Sequence, residues 1–341
     1  MPNPSTPRLE AVAALAGVSR ATASKALNGR SDVSPETRAR VLAAAEEVGY
    51  RGGAGHVDTP LIALVADNLE TTYTLDIIRG ATTTSMELGV GLVTHYSEGP
   101  HPGTAPLSDA WFELVKASRW LGVIVVTTRL SPHQLQLIEK LGLKLVAIDP
   151  ANALPASTAS IGATNWNGGV EATSHLIALG HERIAFVNGT TGSVPSSERL
   201  QGYLSALSMH DLPHDPTLVV GDSFSHEAGV AAGLKLLGLP AHRRPTAIFA
   251  ASDIIAMGVY QAARQLGLRI PDDLSIVGFD DTHLATLVSP PLTTVHQPLA
   301  AMGSAAVRSL VDIAHGRPVT GGPIRLATRL MVRDSTAAPR G

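Results

Sequence analysis

The sequence has 341 residues and no cysteine. That removes disulfides, thiol nucleophiles and Cys-ligated metal, and it fits a reducing compartment. Aromatic residues are also scarce, at 4% of the chain. A core must then be filled mainly by Ala, Val, Leu and Ile, as in parallel sheets flanked by helices. No apolar run is long enough to span a bilayer, and the start, Met1-Pro2-Asn3-Pro4-Ser5-Thr6-Pro7, lacks the basic and apolar regions of an export signal. A cytoplasmic protein with no membrane partner is expected. The 13 histidines are scattered, with no metal-ligand pair at helical spacing, no phosphate-binding glycine loop and no Ser/His/Asp set that spacing singles out. Neither catalysis nor a cofactor or metal is expected.

What is present is enough apolar material for one or two large packed domains: 44% of residues are hydrophobic and 16% charged. The net charge of −3 hides an asymmetry. Residues 1–55 carry 7 Lys/Arg against 5 Asp/Glu, whereas the remainder carries 19 against 24. The basic excess sits where a small DNA-binding module would place it.

In that N-terminal segment Leu9, Val12, Ala13 and Ala16 have the one-face spacing of a short helix that stops at Gly17. Ser19 is placed to cap a second helix, residues 20–27, which buries Ala23, Ala26 and Leu27 and exposes hydroxyls and cations. Ser34-Pro35 opens a third helix that buries Val41, Leu42, Ala45 and Val48 before Gly49. Two short helices joined by Gly17-Val18-Ser19 make a helix-turn-helix.

The ordered run Val12-Ala13, Ala16-Gly17-Val18-Ser19, Thr22, Ser24, Leu27-Asn28, Val33-Ser34-Pro35-Glu36-Thr37-Arg38 and Gly49-Tyr50 closely resembles the DNA-binding domain of LacI/GalR-family repressors. The resemblance implies that the second helix lies in the major groove of a pseudo-palindromic operator. Arg20, Ala21 and Lys25 would then read bases, while Ser19, Thr22, Ser24, Asn28 and Ser34 would hold phosphates. Arg20 can give two hydrogen bonds to a guanine, and Lys25 can reach a guanine or a phosphate; Ala21 offers only a methyl-sized contact. This chain departs from the family pattern at Arg8, Ala11 and Lys25, where relatives have Thr, Asp and Arg.

Beyond Tyr50 the stretch Arg51-Gly52-Gly53-Ala54-Gly55-His56-Val57-Asp58-Thr59-Pro60 reads as a flexible linker, since its glycines disfavour a helix. In the resembling family a longer stretch here holds a short helix that folds on DNA and inserts a leucine into the minor groove. This linker is shorter and has no leucine.

From Leu61 onward, Val/Ile-rich runs alternate with helical patterns, the mark of parallel sheets wrapped in helices. The clearest strands are 61–66, 122–127, 144–148, 183–187, 247–250 and 275–279; 167–179, 197–209 and 254–266 read as helices. So long an alternation implies two doubly wound lobes with a cleft between them. The fold class is therefore α/β, with a three-helix helix-turn-helix domain at 1–51, a linker at 52–60, a periplasmic-binding-protein-like domain at 61–333 and a tail at 334–341.

Ligands in such sheets bind beyond the carboxyl ends of the strands. Polar residues there are Asp67, Tyr73, His95, Arg129, Asp149, Asn188, Arg199, Ser252, Asp253, Asp280 and Asp281. The segments Ser197-Glu198-Arg199-Leu200-Gln201-Gly202-Tyr203, Gly278-Phe279-Asp280-Asp281 and Pro290-Pro291-Leu292-Thr293-Thr294-Val295 resemble the effector-binding core of the same repressors. The resemblance implies that Arg199 and Asp280 bind the effector. A planar fork of donors beside an acceptor pair suits adjacent hydroxyls of a sugar; the competing reading is a structural ion pair across the cleft. Tyr73 and Phe224 would stack on a sugar face, Asp149 would accept a hydroxyl, and Arg129 and Ser252 complete the candidate set. Ser252 stands where relatives have Asn, and Thr164-Asn165 replaces their Asp-Asn.

The tail lacks leucine heptads, so a homodimer is expected. The function expected is a DNA-binding repressor of carbohydrate-use genes under allosteric control by a small sugar-like effector. The alternative is a solute-binding transport protein whose helical N-terminus binds no DNA.

Overall fold

The chain divides into two units, residues 1–59 and 60–341. A computed structural model describes residues 9–27, 30, 32–48, 50, 59–96, 107–317 and 322–340. Asn28, Gly49 and linker residues 51–58 lie outside that set.

In the first unit, α1 (Leu9–Leu15), α2 (Arg20–Leu27) and α3 (Pro35–Glu47) enclose a core of Val12, Ala13, Ala23, Ala26, Val41, Ala44 and Ala45. After α1, Gly17 takes φ +62°, a conformation that costs a residue without Cβ little. The N–H of Val18 then bonds back to the Ala13 carbonyl and closes the helix end. Ser34 Oγ accepts the Thr37 N–H at 3.2 Å and Pro35 supplies the first helical residue, so α3 starts as its sequence predicts. Leu42 is a correction: it is 50% exposed, not buried. The inward stripe is Val41, Ala44, Ala45 and Val48, and position 42 lies about 100° around the helix from position 41.

The second unit is two α/β lobes. The first contains β1 (Leu61–Ala66), α4 (Thr72–Glu87), β2 (Gly91–Tyr96), α5 (Asp109–Ala117), β3 (Gly122–Val126), α6 (Pro132–Leu141), β4 (Leu145–Ile148) and β5 (Ala159–Ala163). The second contains α7 (Asn165–Ala178), β6 (Ile184–Val187), α8 (Val194–Met209), β7 (Val219–Val220), α9 (His226–Leu237), β8 (Ala247–Ala250), α10 (Asp253–Gln265), β9 (Ser275–Asp280), α11 (His283–Leu287) and β10 (Thr293–His296). The chain then returns to the first lobe for α12 (Leu299–Ala314) and β11 (Ile324–Leu326), and crosses again for β12 (Arg329–Met331). Strand orders are β11-β5-β4-β3-β1-β2 and β12-β10-β9-β8-β6-β7. Every described pairing is parallel except β10 with β12.

The central strands β1, β3, β4, β8 and β9 are buried along nearly their whole length, and these are the runs that the sequence marks as continuous Val/Ile/Ala. Three chain segments join the lobes: 163–165, 296–299 and 326–329. Two of them are tied together, because the Thr328 N–H donates to Thr164 Oγ1 at 2.9 Å and the Thr164 N–H to the Leu326 carbonyl at 2.9 Å.

Residues 334–340 are not a separate tail. Ser335 is fully buried; its hydroxyl donates to the Ile276 carbonyl at 2.6 Å and accepts the Thr293 N–H at 2.8 Å. The Ala337 N–H bonds Ser275 Oγ at 3.0 Å, so the second lobe continues past Arg333. Among the described residues no helix is long and apolar enough to cross a membrane.

Candidate functional site

On the first unit, α2 turns Arg20, Ala21 and Lys25 outward and buries Ala23 and Ala26. Ser19 is spent locally: its Oγ accepts the Thr22 N–H at 3.1 Å and lies 2.8 Å from Thr22 Oγ1. This cap holds the entry of α2 while leaving Ser19 and Thr22 near the helix N-terminus, where anions are favoured. Ser34 plays the same part at α3, and Ser24 lies half-buried on α2. Both cations meet carboxylates of their own unit: Arg20 Nε is 3.2 Å from Glu10 Oε1, and Lys25 Nζ donates to Asp32 Oδ2 at 2.6 Å. The hydrogen bond from Lys25 lowers the pKa of Asp32. These pairs are exposed, so water and phosphates compete for them readily.

In the second unit residues beyond the carboxyl ends of both sheets come within reach of one another between the lobes. Tyr73 O–H donates to Asp149 Oδ2 at 2.7 Å in the first lobe. Arg199 and Asp280 both belong to the second lobe, so their 3.5 Å approach is not a bridge across the cleft. The Arg199 guanidinium lies 3.8 Å over the Phe279 ring and 5.9 Å from the Phe224 ring. Its Nε donates to Asn165 Oδ1 at 2.9 Å and its Nη1 to the Ala251 carbonyl at 2.5 Å. Part of the expected fork is therefore spent on the protein, and Nη2 makes no hydrogen bond among the described residues. Arg129, exposed on the first lobe, reaches the loop of the second: a Cβ on Gly192 would lie 3.3 Å from its Nη2. Ser252 is buried and caps α10, accepting the Ile255 N–H at 3.4 Å.

Residues 8–52 match the family described as bacterial regulatory proteins, lacI family, and residues 173–336 match the periplasmic binding protein-like domain. The HTH-type transcriptional regulator CelR of Thermobifida fusca is 35% identical over 96% of this chain and 98% of its own. The chain belongs to the LacI family. The HTH-type transcriptional repressor CytR of Escherichia coli is 32% identical over 96% of this chain and 95% of its own. Among solved structures, a CelR–cellobiose complex superposes with a TM-score of 0.73 at 32% identity, covering 96% of this chain and 99% of that one. A lac repressor dimer bound to operator and the anti-inducer ONPF gives 0.80 at 27% identity, covering 98% and 100%. This LacI-family chain is a transcriptional regulator and not an enzyme.

Family membership also removes the transport alternative, because relatives that share the helix-turn-helix and the lobes alike are regulators. The geometry sorts the remaining strand-end candidates of this LacI-family regulator. Asp281 pairs with Arg333 Nη2 at 2.5 Å and with His296 Nδ1 at 3.0 Å, anchoring the chain's end. Asp253 is fully buried and accepts the Thr282 N–H at 2.7 Å and Thr294 Oγ1–H at 2.6 Å, which fixes the turn after β9. Asp67 takes a hydrogen bond from Thr127, Asn188 takes one from Ser196, and the His95 ring lies 5.2 Å from that of Trp111, tilted by 31°.

Sequence reasoning missed Gln297. It sits at a lobe crossing, donates through Nε2 to Asp280 Oδ1 at 2.7 Å, and is 1% exposed, yet its Oε1 has no hydrogen-bond partner. A buried acceptor without a donor is costly. Nothing in its local pattern distinguishes Gln297 from a loop residue. Asp280 itself is pushed up to about 8, chiefly by burial, with Arg199 opposing and Asp253 reinforcing the rise. Burial likewise raises Asp149, against the pull of Arg199, the Tyr73 hydroxyl and Arg325.

Proposed function

We propose that the chain is a repressor of carbohydrate-use genes that binds a pseudo-palindromic operator as a homodimer and releases or grips it according to a sugar-like effector held between the lobes. One observation carries this reading: Arg199 and Gln297, both in contact with the Asp280 carboxyl, keep polar atoms unspent among the described residues, Nη2 and Oε1, and Arg199 lies near enough to Asp149 and Tyr73 to act on both electrostatically. Donors and acceptors mixed at short range suit vicinal hydroxyls, with Phe224 as the stacking wall. The relatives agree in kind, since one solved neighbour holds cellobiose and another is a dimer on its operator. The candidate DNA contacts are Ser19, Arg20, Ala21, Thr22, Ser24, Lys25, Asn28 and Ser34, and the candidate effector contacts are Tyr73, Arg129, Asp149, Arg199, Phe224, Ser252 and Asp280, with Gln297 added.

The test is a thermal-shift panel of sugars, beginning with cellobiose, followed by gel retardation on upstream DNA. An effector at 100 times its Kd stabilises the fold by about 2.7 kcal/mol. Arg199→Ala and Asp280→Ala should each abolish the shift while leaving operator retention intact, because the cleft and α2 lie on separate units. Unchanged effector affinity in both variants, read by calorimetry, would refute the assignment.

A further inference from the structure

Arg325 on β11 of the first lobe lies against Glu198 on α8 of the second, with Nη2 3.8 Å from Oε1. The setting is confined. A Cβ on Gly162 of β5 would stand 2.9 Å from Arg325 Nη1 and 3.0 Å from Asp149 Oδ1, so the bare backbone there lets the guanidinium and the carboxyl converge over one residue. The other oxygen of Glu198 accepts the Asn165 Nδ2–H at 3.0 Å, and Asn165 Oδ1 accepts the Arg199 Nε–H at 2.9 Å. A polar path thus runs from a first-lobe strand, through the opening residue of α7 at a lobe crossing, to the cation of the effector cleft.

This pair differs from Arg199 and Asp280, whose side chains are 3% and 7% exposed; those of Arg325 and Glu198 are each 32% exposed. The side chain of Arg325 also makes no hydrogen bond among the described residues. An ion pair so long and so wet adds little to stability. Its position gives it another use, because it is made between two bodies joined only by three short segments, where a weak contact can decide their spacing.

We propose that Glu198 and Arg325 are positioning residues of the cleft: their contact sets the spacing of the two lobes, and Glu198, acting through Asn165, aims Arg199. The biological use of this clasp rests on the cleft being the effector site, but lobe spacing is a property of the ligand-free chain and is measured without any sugar.

The absence of cysteine makes the measurement direct. Glu139→Cys on α6 and Glu171→Cys on α7, both exposed, place one nitroxide in each lobe. The labelled full-length chain, diluted into unlabelled protein, is read by double electron–electron resonance. Glu198→Gln keeps an acceptor for Asn165 but removes the charge. It and Arg325→Gln should each lengthen and broaden the interlobe distance distribution; the double variant should go no further, and Arg325→Lys should restore the parent distribution. Melting temperatures should stay within about 2 °C of the parent. Unchanged distributions in both single variants, or additive shifts in the double, would overturn the proposal. A lengthening accompanied by a large fall in melting temperature would assign the pair a structural role instead. A chain that binds no sugar but responds in this way keeps the clasp and loses the sugar reading; a normal sugar response with unmoved lobes does the reverse.

Discussion

The Arg20 side chain stands 71% exposed at the first position of α2, and among the described residues it is tethered by Glu10. An exposed tether of this kind holds a guanidinium ready without binding it firmly, so exchange for a guanine edge costs little. Arg20→Ala should cost about 1–3 kcal/mol at the cognate operator and much less on random DNA. Fluorescence anisotropy on both duplexes checks this, and equal losses would make Arg20 a phosphate contact. The outward place of Arg20 was legible in the sequence because it follows from position on a short capped helix. The division of labour around Arg199 was not. Its Nε and Nη1 are taken by Asn165 and the Ala251 carbonyl, partners 34 and 52 residues away.

At the scale of elements, α7 and α8 cross so closely that a Cβ on Gly169 would lie 2.5 Å from the Arg199 carbonyl oxygen and 3.1 Å from Gly202 Cα. The backbone that carries Arg199 is therefore seated directly on α7. Gly169→Ala must part the helices, and overpacking of this sort costs about 1–3 kcal/mol. The expected result is a lower melting temperature together with weaker effector binding, and operator affinity unchanged. Stability loss without loss of effector affinity would show that the strain stops short of the guanidinium. The linker belongs to this scale too. Its glycines at 52, 53 and 55 and its want of leucine leave no wedge for a central base step. Circular-permutation gel shifts should therefore find an operator bent less than leucine-wedged family members bend theirs, with weaker coupling between effector and DNA. A sharp central kink would contradict this.

For the whole molecule, buried carboxyls set the pH dependence. Burial pushes Asp280 up to about 8 and Asp253 up to about 7, from an ordinary value of 3.8. A carboxyl raised on folding binds more protons in the folded chain, so its stabilisation is full below 3.8 and is lost as pH climbs to the folded value. His175 and His181 oppose this, because burial lowers them from 6.5 and their effect is nearly complete above that point. Between about pH 7 and about pH 8 the carboxyls dominate. Ligand-free stability should fall across that interval, by at most about 1.4 kcal/mol per pH unit for each titrating group. Asp280→Asn should flatten the slope in guanidinium unfolding series. Asp253 keeps its own share of the slope, so a slope left unchanged by this substitution would mean that Asp280 is ionised throughout.

The sequence by itself determined what rests on local chemistry. The three N-terminal helices follow from Gly17, Ser34-Pro35 and apolar spacing, and the parallel α/β character follows from runs such as Leu61–Ala66 whose both faces are apolar. Even there, Leu42 went astray, because a stripe of small alanines let a larger residue face water. Only the tertiary structure decided which polar residues share a cleft. Strand-end position made Asp253 and Asp281 look equivalent to Asp280, yet packing turned the first onto Thr282 and Thr294 and the second onto Arg333. Gln297 and Arg325 carry no local signal, and Glu198, though it adjoins Arg199 in sequence, shows none of its pairing there, since what defines all three is a neighbour brought in by a lobe crossing. A pattern of periodicity and caps reports which face of one element is apolar; which elements then meet is set by how the whole chain closes its two sheets.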